Sequence, residues 1–220
     1  LQGSLLIQKE KERAIELSTA NREISILNEK LKDENMRIST EMEVARDIQT
    51  KLLPENIANI HPAFEVWAKM ETAELVGGDY YDVMIDRLGN LWFAIGDVSG
   101  HGVTAGLIMM MAQTIHTTIT KNYNLSPKEI IIMINRVIFE NVQKRMKSTH
   151  FMTFNTLKYI GNGVFEHAGA HLNIVIYRNK SQTCEEIETT GTWLNIMEDM
   201  SEVTENNEFK MESGDIILLH

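Results

Sequence analysis

The sequence predicts an α+β fold: a sandwich of antiparallel β-hairpins flanked by helices, preceded by one long coiled-coil helix. Three observations carry this. Residues Leu5 to Leu53 contain no Gly or Pro and repeat apolar residues every seventh position. Two helical patterns stand together in mid-chain, between Thr104 and Lys147, rather than alternating with strands. Strand-like runs on either side of them are separated by tight turn signals such as Gly161-Asn162-Gly163. No βαβ alternation and no Gly-rich phosphate loop is present, which argues against Rossmann and P-loop folds.

In the first segment, residues 1–53, Leu17, Ile24, Leu31, Ile38, Ala45 and Leu52 share strict seven-residue spacing. Ala20, Leu27 and Ile48 fill three of the intervening d positions, and Glu34 and Glu41 fill the other two. The segment is expected to form a parallel dimeric coiled coil about 54 Å long between Leu17 and Leu52. The glutamates weaken its seam, so the helix is expected to change register or pairing when an upstream sensor moves. The last turns, Glu43 to Leu53, are expected to dock on the globular domain, and Pro54 ends the helix.

The globular domain is expected over residues 57–220. Phe64, Val66, Ala68 and Met70 alternate as in a half-buried strand. Tyr80–Ile85 and Leu91–Ile95 read as strands joined by the turn Arg87-Leu88-Gly89-Asn90. Thr104–Lys121 reads as a buried helix whose small residues Ala105, Gly106 and Ala112 let it pack close to a sheet. Ser126-Pro127-Lys128-Glu129 is a capping box with Pro at the first helical position, opening a helix expected to reach Lys147. The remaining runs, Phe151–Ile160, Val164–Ala168, Leu172–Arg178, Glu185–Thr190, Phe209–Met211 and Ile216–Leu219, are expected to be strands.

Composition narrows the function. A net charge of −10 argues against nucleic acid as a partner. The single cysteine, Cys184, excludes an internal disulfide and fits a reducing, cytoplasmic setting. No apolar run approaches the roughly 20 residues that cross a bilayer, so no membrane contact is expected of this fragment, whatever anchors its parent.

The chemistry is expected in the hairpin. A turn near Leu88 and Gly89 lays Asp79 and Asp97 nearly opposite each other, with Cβ atoms about 4.5–5.5 Å apart. Carboxylates that close repel unless a proton or a cation sits between them. Either Asp alone reads as a turn or cap residue; the pair, flanked by Gly77, Gly78, Gly96 and Gly100, points to an oxygen-ligand site for Mg²⁺ or Mn²⁺. The helix that begins after His101-Gly102 would offer its N-terminus to an anion such as phosphate. His101 reads equally as a proton donor, as a phosphate contact or as a polar loop residue.

Three motifs together resemble one family: Ala45-Arg46-Asp47-Ile48-Gln49 to Leu52-Leu53-Pro54, Val76-Gly77-Gly78-Asp79-Tyr80-Tyr81-Asp82, and Gly96-Asp97-Val98-Ser99-Gly100-His101-Gly102. Over Glu43–His220 the chain is similar to the bacterial SpoIIE-type serine phosphatases, the metal-dependent PPM or protein phosphatase 2C-like group. The resemblance implies a β-sandwich flanked by helices and a centre of two Mn²⁺ or Mg²⁺ ions. It implies hydrolysis of phosphoserine or phosphothreonine on a protein, the usual substrate being an anti-sigma-factor antagonist in a partner-switching pathway. It assigns metal binding to Asp79, to Asp97 as the bridge between the ions and to the carbonyl of Val98, with a metal-activated water as nucleophile. Asp82, His101 and Gly102 are carried over as supporting or phosphate-contacting positions. Where the family has Ala-Gly-His, this chain reads Ala168-Gly169-Ala170-His171. The family's further metal aspartates fall after His220, so a C-terminally truncated domain is expected, with activity belonging to the parent protein. A catalytically inactive dimeric signalling module is the alternative, and a nucleotide cyclase a more remote one.

Overall fold

The computed structural model describes residues 2–71 and 75–220, with side chains from residue 7 onward. Its elements in order are α1 (Gln2–Lys51), β1 (Tyr80–Ile85), β2 (Leu91–Val98), α2 (Val103–Asn122), α3 (Pro127–Ile138) continued by a π-helical stretch (Phe139–Arg145), β3 (Met152–Gly161), β4 (Val164–Ala168), β5 (Ile174–Arg178), β6 (Thr183–Ile187), β7 (Asn207–Lys210) and β8 (Ile216–Leu218). No helix among the described residues is long and apolar enough to cross a membrane.

The chain divides into two compact units, residues 1–44 and 45–220. The first is a single helical stretch. Its heptad residues Leu17, Ile24, Leu31 and Ile38 are all exposed, as are Leu27 and Ile26. Glu34, at a d position, pairs with Arg37 of the same helix at 2.5 Å.

The second unit has the expected antiparallel sandwich. One sheet has the order β1-β2-β3-β4-β7 and the other β6-β5-β8. Strand residues alternate between faces, and the larger sheet buries side chains on both of them, whereas the smaller sheet buries one. Tyr80, Trp92, Ala94, Phe154 and Ala168 of the larger sheet pack against Ala105, Ile108, Met109 and Ala112 of α2 and Ile130, Ile131, Ile134 and Ile138 of α3. Leu157, Phe165 and Phe209 on its other side meet Ile174 and Ile176 of the smaller sheet. At about 25 cal/mol per Å² of apolar surface removed from water, these two cores supply most of the driving force. The capping box is formed: Ser126 N–H donates to Glu129 Oε2 at 2.8 Å, and Glu129 N–H donates back to Ser126 Oγ at 3.4 Å.

Two expectations are corrected. Phe64–Met70 forms no strand; its only ladder contact is an isolated bridge between His61 and Phe64. Phe64 docks edge-on against Tyr159 and Phe165, and Val66 packs beside it on the same cluster, whereas Ala68 is exposed. The helix expected to run to Lys147 leaves α geometry at Ile138. Its buried face, Ile130, Ile131, Ile134, Asn135 and Ile138, follows the usual 3.6-residue period up to that point and is continued by Val142 in the π stretch. The wider π turn is marked by Met146 N–H donating to Asn141 O, five residues back, at 2.9 Å.

The β1–β2 hairpin positions the site. Asp86 accepts hydrogen bonds from Leu88 N–H (2.8 Å), Asn90 N–H (2.9 Å), Asn90 Nδ2 (2.8 Å) and Trp92 Nε1 (3.0 Å). Gly89 takes φ 87°, a value that side-chain-bearing residues adopt at a cost. The closed turn fixes the register from Ile85 opposite Leu91 to Tyr80 opposite Gly96.

Candidate metal centre

Extending that register by one residue places Asp79 opposite Asp97. The pairing does continue, since Val98 N–H donates to Gly78 O at 3.2 Å. Both aspartates stand at exposed strand ends. The two carboxyl groups are close enough for the Asp79 charge to act on Asp97. Partial burial, followed by the charge and hydrogen bond of Asp79, raises the pKa of Asp97 above the usual carboxylate range.

Gly78 permits this approach. A Cβ there would lie 2.7 Å from Val98 O and 3.1 Å from Asp97 Oδ1. The Val98 carbonyl therefore faces the same small space as the Asp97 carboxylate.

The other sequence-derived residues are placed differently. Asp82 lies three residues beyond Asp79, on the opposite side of β1, and is buried. It accepts a hydrogen bond from Tyr80 Oη at 2.9 Å and one from Thr117 Oγ1 at 3.4 Å. Burial raises its pKa despite these hydrogen bonds. Tyr80 Oη also meets His116 Nδ1 at 3.0 Å, and His116 Nε2 meets Thr156 Oγ1 at 3.1 Å. Burial lowers the His116 pKa to about 3, so its ring is neutral at physiological pH. Asp82 thus belongs to a buried polar network joining β1, α2 and β3 beneath the hairpin. Gly102 is the N-cap of α2, with no side-chain cap, and His101 before it is exposed.

Residues not singled out from sequence complete the surroundings. Thr153, opposite Asp97 in the β2–β3 register, accepts Asp97 N–H at 3.1 Å and donates to Asp97 O at 3.2 Å. His171 Nδ1 meets Thr153 Oγ1 at 2.8 Å. Burial lowers the His171 pKa, opposed first by the hydrogen bond of His171 Nε2 to His220 O at 3.0 Å and less by the Asp79 charge. His171, read from sequence only as displaced, thus reaches the acid pair through Thr153. Gln49 at the end of α1 hydrogen-bonds both backbone groups of Gly77.

Among the described residues, no group of three or more His, Cys, Asp or Glu gathers as a ready metal cage. The donor set is two facing carboxylates with carbonyl oxygen beside them. That set fits Mg²⁺ or Mn²⁺, hard ions that bind through one or two carboxylates and fill their remaining positions with water and substrate phosphate.

The same arrangement of sheets and helices occurs in solved phosphatases. The SiaA-PP2C domain of Pseudomonas aeruginosa superposes with a TM-score of 0.64 at 16% identity, over 83% of this chain and 71% of that one. The Streptococcus agalactiae serine/threonine phosphatase superposes with a TM-score of 0.51 at 13% identity, over 67% of this chain and 73% of that one. A bacterial serine phosphatase gives 0.50 at 8% identity, over 61% and 67% of the two chains. A search of curated protein sequences finds no match. The fold is that of the PP2C-like serine/threonine phosphatases. Within that class the chain belongs to the SpoIIE family, its residues 88–220 matching Stage II sporulation protein E (SpoIIE).

Proposed function

We propose that the protein is a metal-dependent phosphoserine/phosphothreonine protein phosphatase of a bacterial partner-switching pathway, regulated through its N-terminal helix. The observation that carries this reading is the Asp79–Asp97 pair, held face to face by the hairpin register. Asp79, Asp97 and the Val98 carbonyl would hold the metal, with Asp97 as the bridge if two ions bind. When bound, Mn²⁺ or Mg²⁺ supplies a water acidic enough to attack at neutral pH and offsets phosphoryl charge. The chain's own part is to hold the carboxylates ready: Thr153 fixes the Asp97 backbone from the neighbouring strand, and Gly78 keeps the space open. The family resemblance supports a phosphorylated anti-sigma-factor antagonist as substrate and the cytoplasm as its location.

The reading is tested by phosphate release from a phosphoserine protein, using the full-length chain with Mn²⁺ or with EDTA. Release that requires the metal is expected; equal release in EDTA contradicts it. Because the metal-free pKa of Asp97 is raised, protons compete with the ion there. Mn²⁺ affinity is therefore expected to fall on acidification, with proton release accompanying metal uptake. Gly78→Ala places a methyl against Val98 O and is expected to weaken Mn²⁺ binding about tenfold, the low end for a residue that supports metal ligands. An unchanged circular dichroism spectrum with weakened calorimetric binding is the expected pattern.

The exposed heptad stripe of α1 supports a homodimer through residues 1–53. Replacing Glu34 and Glu41 by Leu is expected to tighten the dimer by about four orders of magnitude or more, since the dimer then buries two leucines from each chain at about 1.5–3 kcal/mol apiece. Sedimentation equilibrium reads this directly; unchanged affinity removes the coiled-coil assignment. A second reading, an inactive dimeric signalling module, draws on the lack of a third acidic ligand among the described residues. It requires an intact dimer that takes up no Mn²⁺.

A further inference from the structure

We propose that Gln49 is a positioning residue for Asp79: its amide fixes the Gly77–Gly78 lead-in and thereby sets the geometry of the metal pair. This rests on the phosphatase reading above and adds to it a residue outside the acid pair.

Gln49 lies in the last turn of α1, within the unit formed by residues 45–220. It is only 3% exposed. Its Nε2 donates to Gly77 O at 2.6 Å, and its Oε1 accepts Gly77 N–H at 3.2 Å. One side chain thus satisfies both polar groups of a single residue, as a neighbouring strand would. Gly77 needs such a partner because pairing with β2 extends only as far as Gly78, whose carbonyl accepts Val98 N–H at 3.2 Å. A Gly-Gly pair has the greatest backbone freedom of any dipeptide, and it directly precedes Asp79. The amide removes that freedom two residues before the carboxylate.

A third element closes the junction. Gly106, in the first turns of α2, faces this contact: a Cβ there would lie 3.3 Å from Gln49 Nε2, 3.3 Å from Gly77 O and 2.3 Å from Val76 Cγ1. The missing side chain on α2 therefore lets the end of α1 and the loop before Asp79 meet against it. Simple docking of the helix end does not call for a buried amide, because Leu53, 7% exposed, supplies an apolar anchor nearby. The amide adds what an apolar contact lacks, a fixed direction for the Gly77 peptide groups. Charge on the acid pair does not enter the contact, since the amide is neutral at every working pH.

The test compares Mn²⁺ binding by isothermal calorimetry in the full-length wild type, Gln49→Met, Leu53→Ala and Asp97→Asn. Melting temperature and amide exchange of the segment around Gly77 are measured on the same samples without metal. Gln49→Met keeps the volume and removes both hydrogen bonds. It is expected to weaken Mn²⁺ binding about ten- to a hundredfold, the range for residues that orient metal ligands, and to speed exchange at Gly77. Leu53→Ala is expected to lower the melting temperature and leave Mn²⁺ affinity unchanged. Should Gln49→Met fold poorly, Gln49→Glu keeps the acceptor for Gly77 N–H and loses only the donor, and the same weakening is expected. Wild-type affinity in a folded Gln49 variant overturns the proposal. So does a loss in Leu53→Ala that matches the loss in Gln49→Met, because the amide would then act only through stability. If wild type and Asp97→Asn both fail to bind Mn²⁺, the phosphatase reading falls and this assignment falls with it.

Discussion

Asp97→Asn is expected to lower Mn²⁺-dependent phosphate release by roughly a thousandfold. Several kcal/mol of transition-state charge stabilisation depend on a catalytic metal, and each 1.36 kcal/mol is a factor of about ten in rate. The substitution is nearly isosteric and leaves the backbone contacts of residue 97 to Thr153 in place. It also ends the like-charge contact with Asp79 that raises the Asp97 pKa. The metal-free variant is therefore expected to be as stable as wild type or more so, while its calorimetric Mn²⁺ affinity collapses. Loss of activity with gain of stability is a signature that general unfolding does not produce. Equal turnover in variant and wild type removes Asp97 from the chemistry.

Asp86→Ala carries the largest expected effect on stability, about 3 kcal/mol. Its carboxylate accepts four hydrogen bonds within the β1–β2 turn. Hydrogen bonds to a charged group contribute about 1.5–3 kcal/mol each, part of which water recovers at a turn. Trp92, 1% exposed, is left with an indole N–H that has lost its acceptor. For a chain of this size the melting temperature is expected to drop by roughly 6–12 °C. The effect depends on pH in a definite direction. Burial alone would raise the Asp86 pKa, but the hydrogen bonds from Trp92, Asn90 and Leu88 outweigh it and hold it below the usual value. Its stabilisation is therefore complete above the unfolded carboxylate pKa near ~3.9 and is lost as pH falls through the lower folded value. The gap between wild type and Asp86→Ala should close on acidification. Thermal melts at pH 7 and near pH 3 measure it; a gap that widens in acid contradicts the assignment. Because this turn sets the register of Asp79 against Asp97, the variant is also expected to bind Mn²⁺ more weakly at pH 7.

The hairpin was legible in the sequence because its information is local. Four turn residues, Arg87-Leu88-Gly89-Asn90, fix the register, and counting outward from them brings Asp79 to Asp97. The capped start of α3 and the paired β3–β4 turn were legible for the same reason. What stayed hidden depends on contacts across long stretches of chain. Thr153 reaches Asp97 only because β3 pairs with β2 after two intervening helices. His171 enters through that same pairing. Gln49 stands in the first of the three family motifs, but nothing near it in sequence announces its contact with Gly77. Asp82 shares a motif with Asp79, yet strand alternation sends it to the helix side of the sheet. The Phe64–Met70 alternation reports packing at Phe64 and Val66, but no ladder, and it lapses at exposed Ala68. The π stretch after Ile138 left no such mark, since the apolar spacing through Ile130, Ile131, Ile134 and Ile138 is that of an ordinary α-helix.

Crystals of the full-length protein grown with Mn²⁺ and measured at the manganese absorption edge would locate the ion. An anomalous peak between the Asp79 and Asp97 carboxylates, with the Val98 carbonyl beside it, is the expected result. A saturating Mn²⁺ soak that leaves that position without a peak, in a protein that still releases phosphate, would contradict the assignment of the acid pair.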